Sequence, residues 1–162
     1  MASINVVIET PKGSAQKYDY DEKTHFFEMK KILPSGMVFP YDFGFIPDTK
    51  GEDGDPLDVI VLSEFNSFPG VMIKCRVIGG IMAEQTSENH KKLIRNDRFL
   101  AIPKCSNIFE KVASMDDLPA QITDQLEEFF VDYNKLEGKK FKVLDQMSAK
   151  KAQRLITSNQ TQ

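Results

Sequence analysis

Short runs broken by turn residues occupy 4–9, 16–20, 26–32, 57–62, 71–82 and 99–103, with Pro-Gly and Gly-Asp pairs between them. Runs this short, rich in β-branched and aromatic side chains and bounded by turn residues, predict strands. Beyond residue 117 the period changes. Ile122, Leu126, Phe129, Phe130 and Tyr133 fall on one helical face, with Pro119 near its start and Gly138 beyond its end. A second, shorter amphipathic stretch over 148–157 predicts a helix capped by Ser148, with Ala152, Leu155 and Ile156 inward and a frayed polar tail after it. Because both helices follow the strands, the expected class is α+β, mainly β: a barrel with two C-terminal helices packed outside, and not a doubly wound parallel sheet.

Composition narrows this picture. At 162 residues and 41% hydrophobic, 1–162 suits a single domain. No apolar stretch approaches the roughly 20 residues of a membrane helix, and no basic n-region precedes an apolar run at the start, so a cytoplasmic protein without membrane partners is expected. Cys75 and Cys105 sit among apolar residues without metal-ligand spacing and are expected to be buried free thiols. The net charge of -3 argues against a nucleic-acid groove, so an anionic substrate would need metal cations. His25 and His90, far apart among polar neighbours, read as solvated loop residues.

Chemistry concentrates in Gly51-Glu52-Asp53-Gly54-Asp55-Pro56-Leu57-Asp58, where three aspartates crowd a turn that opens into an apolar run. Two carboxylates about 4 Å apart repel by roughly 4 kcal/mol at an effective dielectric near 20, so a converging set needs protons or cations. Hard divalent cations suit all-oxygen ligands. The bland alternative is an exposed turn whose aspartates bond their own backbone. An EF-hand fails: Asp53, Asp55 and Glu64 take its first, third and twelfth positions, but Asp58 stands where it needs glycine and helical flanks are missing.

Asp53-Gly54-Asp55-Pro56-Leu57-Asp58-Val59 resembles the signature of family I inorganic pyrophosphatases. The likeness extends in order through Val6-Val7-Ile8-Glu9-Thr10-Pro11, Lys17-Tyr18-Asp19, Phe39-Pro40-Tyr41-Asp42-Phe43-Gly44-Phe45-Ile46-Pro47, Pro69-Gly70 and Phe129-Phe130-Val131-Asp132-Tyr133. The length is similar to that of the short bacterial type. The resemblance implies an OB-like five-stranded barrel, a homohexamer, the cofactor Mg2+, and hydrolysis of pyrophosphate to two phosphates. It also implies roles: Asp53 and Asp58 as metal ligands, and Asp55 as the carboxylate that orients or deprotonates the attacking water. Glu84 and Asp97 would complete the metal set. Lys17, Lys31, Arg98 and Tyr133 would bind phosphate, with Glu9 and Asp19 as further cavity acids.

The chain departs from the family pattern in places. Lys31 replaces an arginine, which exchanges a bidentate fork for a point charge. Phe39, Phe43 and Phe45 occupy positions that are often tyrosine, and Asn134 replaces a phosphate-binding lysine for which Lys139 or Lys140 would compensate. These changes keep two alternatives open: a catalytically weakened paralogue that binds phosphate compounds, or a phosphatase for another small polyphosphate. No Gly-rich nucleotide loop and no Gly-x-Ser-x-Gly elbow is present.

Overall fold

A computed structural model describes residues 3–161. Five strands close into a ring: β1 (Ser3–Thr10), β4 (Asp42–Ile46), β5 (Leu57–Val61), β8 (Arg98–Pro103) and β6 (Met72–Thr86), with β6 pairing back onto β1. This is the OB-like barrel expected. Within the ring β5 and β8 run parallel and every other pairing is antiparallel. The fifteen-residue β6 extends beyond the ring, where β7 (Leu93–Arg95) and β9 (Phe141–Ser148) pair with it. β2 (Gln16–Asp21) and β3 (Phe26–Ile32) form a separate hairpin.

Both faces of β5 are buried from Val59 onward, which is why the sequence from Val59 to Leu62 is a continuous apolar run. Val59 and Val61 join Val6, Ile8, Phe99 and α2 (Ala149–Ser158) in one cluster. Ile60 and Leu62 join Phe43, Leu100 and the Leu126 and Phe130 face of α1 (Ala120–Leu136) in the other. Each such side chain contributes about 1.5–3 kcal/mol by leaving water. Ser148 caps α2 as expected, its hydroxyl accepting from the Lys151 N–H at 3.2 Å.

Four local expectations are corrected. β4 was not among the strand runs expected from the pattern. Gly44 serves for close packing, since a Cβ there would lie 2.2 Å from the Val7 carbonyl oxygen. β9 lies between the two helices, so the helices do not simply follow the strands. The C-terminal segment is held in place: Gln160 bridges to Thr49, Lys50 N–H donates to the Asn159 carbonyl, and Thr161 N–H donates to that of Asp48. Cys75 is buried, but Cys105, just past the end of β8, is exposed. Among the described residues no helix is long and apolar enough to cross a membrane.

Candidate active site

The acidic turn leads from the end of β4 into β5 and is tied down at its base. Thr49 Oγ1 donates to the Ile46 carbonyl at 2.5 Å and accepts from Leu57 N–H at 3.0 Å. Gly51 N–H donates to the Asp55 carbonyl at 2.8 Å, and Gly54 takes the positive φ of 89° that reverses the chain. Asp53 Oδ1 accepts from Asp55 N–H at 3.0 Å. The backbone-bonded turn is therefore present, and the same turn also lines a large cavity with Asp53, Asp55 and Asp58.

This cavity, of about 860 Å³, lies between the acidic turn, the β2–β3 hairpin, the outer part of β6 and the C-terminal half of α1. Of the residues singled out from sequence, Glu9, Lys17, Asp19, Lys31, Arg98 and Tyr133 line it together with the three aspartates. Lys17 pairs with Asp19 at 2.7 Å and lies 5.2 Å from the Phe43 ring centre. Lys31 pairs with Glu137 and lies 4.5 Å over the Tyr133 ring. Arg98 is 5% exposed; its Nη1 pairs with Asp58 Oδ2 at 2.9 Å, and the Phe43, Phe130 and Phe141 rings enclose its guanidinium.

Electrostatics follow from this crowding. Burial, above all, lifts Asp53, Asp55 and Asp58 above the usual carboxylate range. Asp53, Glu88, Asp19 and Glu22 push Asp55 further up, whereas Arg98 and Lys17 pull Asp58 back. Glu9 is pushed to about 8 by burial, opposed by the Tyr20 N–H that its carboxylate accepts at 2.8 Å. Burial raises the Tyr133 phenol, and its hydroxyl has no partner.

Two of the expected metal ligands lie elsewhere. Asp97 accepts from Arg95 Nε and Nη2, both at 2.9 Å, and from Ala83 N–H at 3.0 Å, and it faces a smaller cavity of about 190 Å³ next to α2. Glu84 sits opposite Arg95 and Lys142 in the sheet and does not line the large cavity. Their neighbours Gln85 and Asn96 line it in their stead. Successive side chains of a strand point to opposite faces, so an offset of one residue exchanges cavity for outer surface. β6 carries one extra residue, Ile78, between Val77 and Gly79 where it pairs with β8, and this bulge sets that parity. Asn134 turns its amide onto the Phe130 carbonyl at 2.8 Å, and Lys139, not Lys140, reaches the cavity.

The family model for inorganic pyrophosphatase matches residues 6–162. The chain belongs to the inorganic pyrophosphatase family. It is 41% identical over 138 residues to the inorganic pyrophosphatase of Saccharolobus solfataricus, covering 85% of this chain and 78% of that one. Against the inorganic pyrophosphatase of Halalkalibacterium halodurans it is 38% identical over 153 residues, 94% of this chain and 90% of that one. Among solved structures, the inorganic pyrophosphatase of Thermus thermophilus superposes with a TM-score of 0.89 at 30% identity, covering 97% of this chain and 88% of that one. An inorganic phosphatase from Anaplasma phagocytophilum gives 0.89 at 35% identity, covering 97% and 91%.

A pyrophosphatase of this family needs donors suited to a divalent cation. Among the described residues no three His, Cys, Asp or Glu side chains converge as a closed cage. The carboxylates of Asp53, Asp55 and Asp58 instead line one roomy cavity without such a cage, each with raised proton affinity. That donor set fits a hard divalent cation that keeps several waters and takes only one or two carboxylates.

Proposed function

We propose that the protein hydrolyses inorganic pyrophosphate to two phosphates, with Mg2+ and with the cavity around Asp55 as its active site. The observation that carries this reading is that one cavity is lined both by Asp53, Asp55 and Asp58 and by Lys17, Lys31 and Arg98. A multiply charged anion held by bound divalent cations and by side-chain cations together fits both sets. Asp53 and Asp58 would hold Mg2+; Glu84 and Asp97, whose side chains lie outside the cavity, have no part in it. The bound cation supplies charge neutralisation and a lowered pKa for nearby water.

Asp55, which lines the cavity and has raised proton affinity, takes the proton from the attacking water. Lys17 and Lys31 exchange their carboxylate partners for phosphate oxygens, and Arg98 and the unpartnered Tyr133 hydroxyl receive charge on the departing phosphate. The enclosing rings keep Arg98 from water, which strengthens its field at the bound anion. No covalent enzyme intermediate is required.

Purified protein should release phosphate from magnesium pyrophosphate far faster than from ATP, and Asp55→Asn should fold and bind metal yet lose most turnover. The neutral pair Gln85 and Asn96 favours a second reading, a paralogue that binds phosphate compounds with little turnover. Phosphate binding without release would select it. Preference for ATP would select a phosphatase of another polyphosphate.

A cytoplasmic homohexamer belongs to the same proposal. Phe26, Ile32, Phe65, Phe68 and Ile108, each more than 60% exposed, are apolar surface that such an assembly would cover. A monomeric elution volume would remove the hexamer without touching the chemistry.

A further inference from the structure

Gln85 and Asn96 have no part in the mechanism above, yet their side chains make most of the hydrogen bonds to Arg98. A guanidinium carries five N–H donors in a fixed plane. Nη1 donates to Asn96 Oδ1 at 2.6 Å and to the Asn96 carbonyl at 3.0 Å, and it forms an ion pair with Asp58 Oδ2 at 2.9 Å. Nη2 donates to Gln85 Oε1 at 2.8 Å, and Asn96 Nδ2 ties the two amides together by donating to the same oxygen at 3.3 Å.

These acceptors occupy both Nη1 hydrogens and one on Nη2. The second Nη2 hydrogen and the Nε hydrogen remain, and Nε is buried without a partner. Buried donors without acceptors are rare in folded proteins, and this one belongs to a side chain that lines the cavity. The Tyr133 hydroxyl is the second buried polar atom without a partner, and it lines the same cavity.

The charge state of the two amides matters as much as their position. Each accepts a hydrogen bond without cancelling charge, so among the described residues Asp58 is the only carboxylate paired with Arg98. A glutamate or aspartate in either place would turn the guanidinium into the centre of a carboxylate cluster, with no charge left over for an incoming anion.

We propose that Gln85 and Asn96 are positioning residues that hold Arg98 with its Nε unpaired, making a direct receptor for a phosphoryl oxygen that works without metal. Which anion it serves rests on the pyrophosphate reading; the receptor itself does not. The test is calorimetric titration of inorganic phosphate into metal-free protein in EDTA.

Wild type is expected to bind phosphate under these conditions. Gln85→Met removes the orienting acceptor and should weaken binding roughly tenfold. Gln85→Glu keeps an acceptor but adds a charge, and should weaken it at least as much while its thermal midpoint stays near wild type. In turnover, the same variant should raise KM more than it lowers kcat. If a Gln85 variant does not fold, Asn96→Asp decides, with the same weakening expected.

Equal phosphate affinity in wild type and folded variants would overturn the proposal, as would wild type that binds phosphate only after Mg2+ is added. Should wild type release no phosphate from pyrophosphate while the metal-free affinities follow the expected order, the hydrolase reading fails and the receptor stands.

Discussion

Replacing Glu9 by glutamine tests the electrostatic account of the cavity in the folded protein itself. Glu9 is 9% exposed, and burial lifts its carboxyl from 4.5 to about 8. In the unfolded chain the value returns to its ordinary range, so folding takes up a proton between these two limits. The favourable contribution of this raised carboxyl is therefore fully present below about pH 4.5 and is lost as pH climbs through about 8. At about 1.4 kcal/mol per pH unit the ceiling is about 5 kcal/mol, and side-chain and water relaxation reduces it to roughly half.

Urea unfolding of metal-free protein at fixed protein concentration, from about pH 5 to about pH 8, measures this slope directly. Wild type should lose about 2–3 kcal/mol more than Glu9→Gln over that range. Asp53, Asp55 and Asp58, raised in the same direction, give both proteins a residual slope of the same sign. Magnesium should stabilise wild type most at the alkaline end, where the acids bind it without first losing protons. Curves for the two proteins that run parallel within about 0.5 kcal/mol would refute the reasoning.

Other substitutions probe separate parts of the molecule. Glu137→Gln releases Lys31 from its carboxylate partner and should lower KM for pyrophosphate about two- to fivefold with kcat nearly unchanged, read from steady-state phosphate release. Ser148→Ala removes the α2 cap and should cost about 1 kcal/mol in denaturant unfolding. Gly44→Ala forces a methyl group onto the Val7 carbonyl oxygen and should destabilise by more than about 3 kcal/mol, seen as a large fall in thermal midpoint.

What sequence reveals about this chain depends on how local the signal is. The α1 face from Ile122 to Tyr133 and the Ser148 cap are fixed by residues within a turn or two of one another, and both are found as expected. The acidic turn is legible for the same reason, because all its carboxylates lie within six residues. β9 escaped because only Phe141 and Met147 of its eight residues are buried; the rest of its pattern is set by pairing with β6, sixty residues away. Glu84 and Asp97 show the same limit at the level of single side chains. Both are acids at plausible positions, but the bulge of β6 against β8 decides which residue faces inward, and no local pattern announces such a bulge. Only tertiary geometry could single out Gln85 and Asn96, since neutral amides in a strand-and-loop sequence carry no chemical signal of their own.

Asp58 and Arg98 are direct register partners on β5 and β8, the parallel pairing that completes the ring. The two strands are separated by a long stretch of chain that includes all of β6, so their side chains meet only once the barrel is shut. A half-folded chain would carry the acidic turn as an exposed, flexible loop with no cation opposite it. Catalytic competence and topological completeness are thus one event, and a pool of partly folded molecules would contribute no residual activity, however much secondary structure it retained.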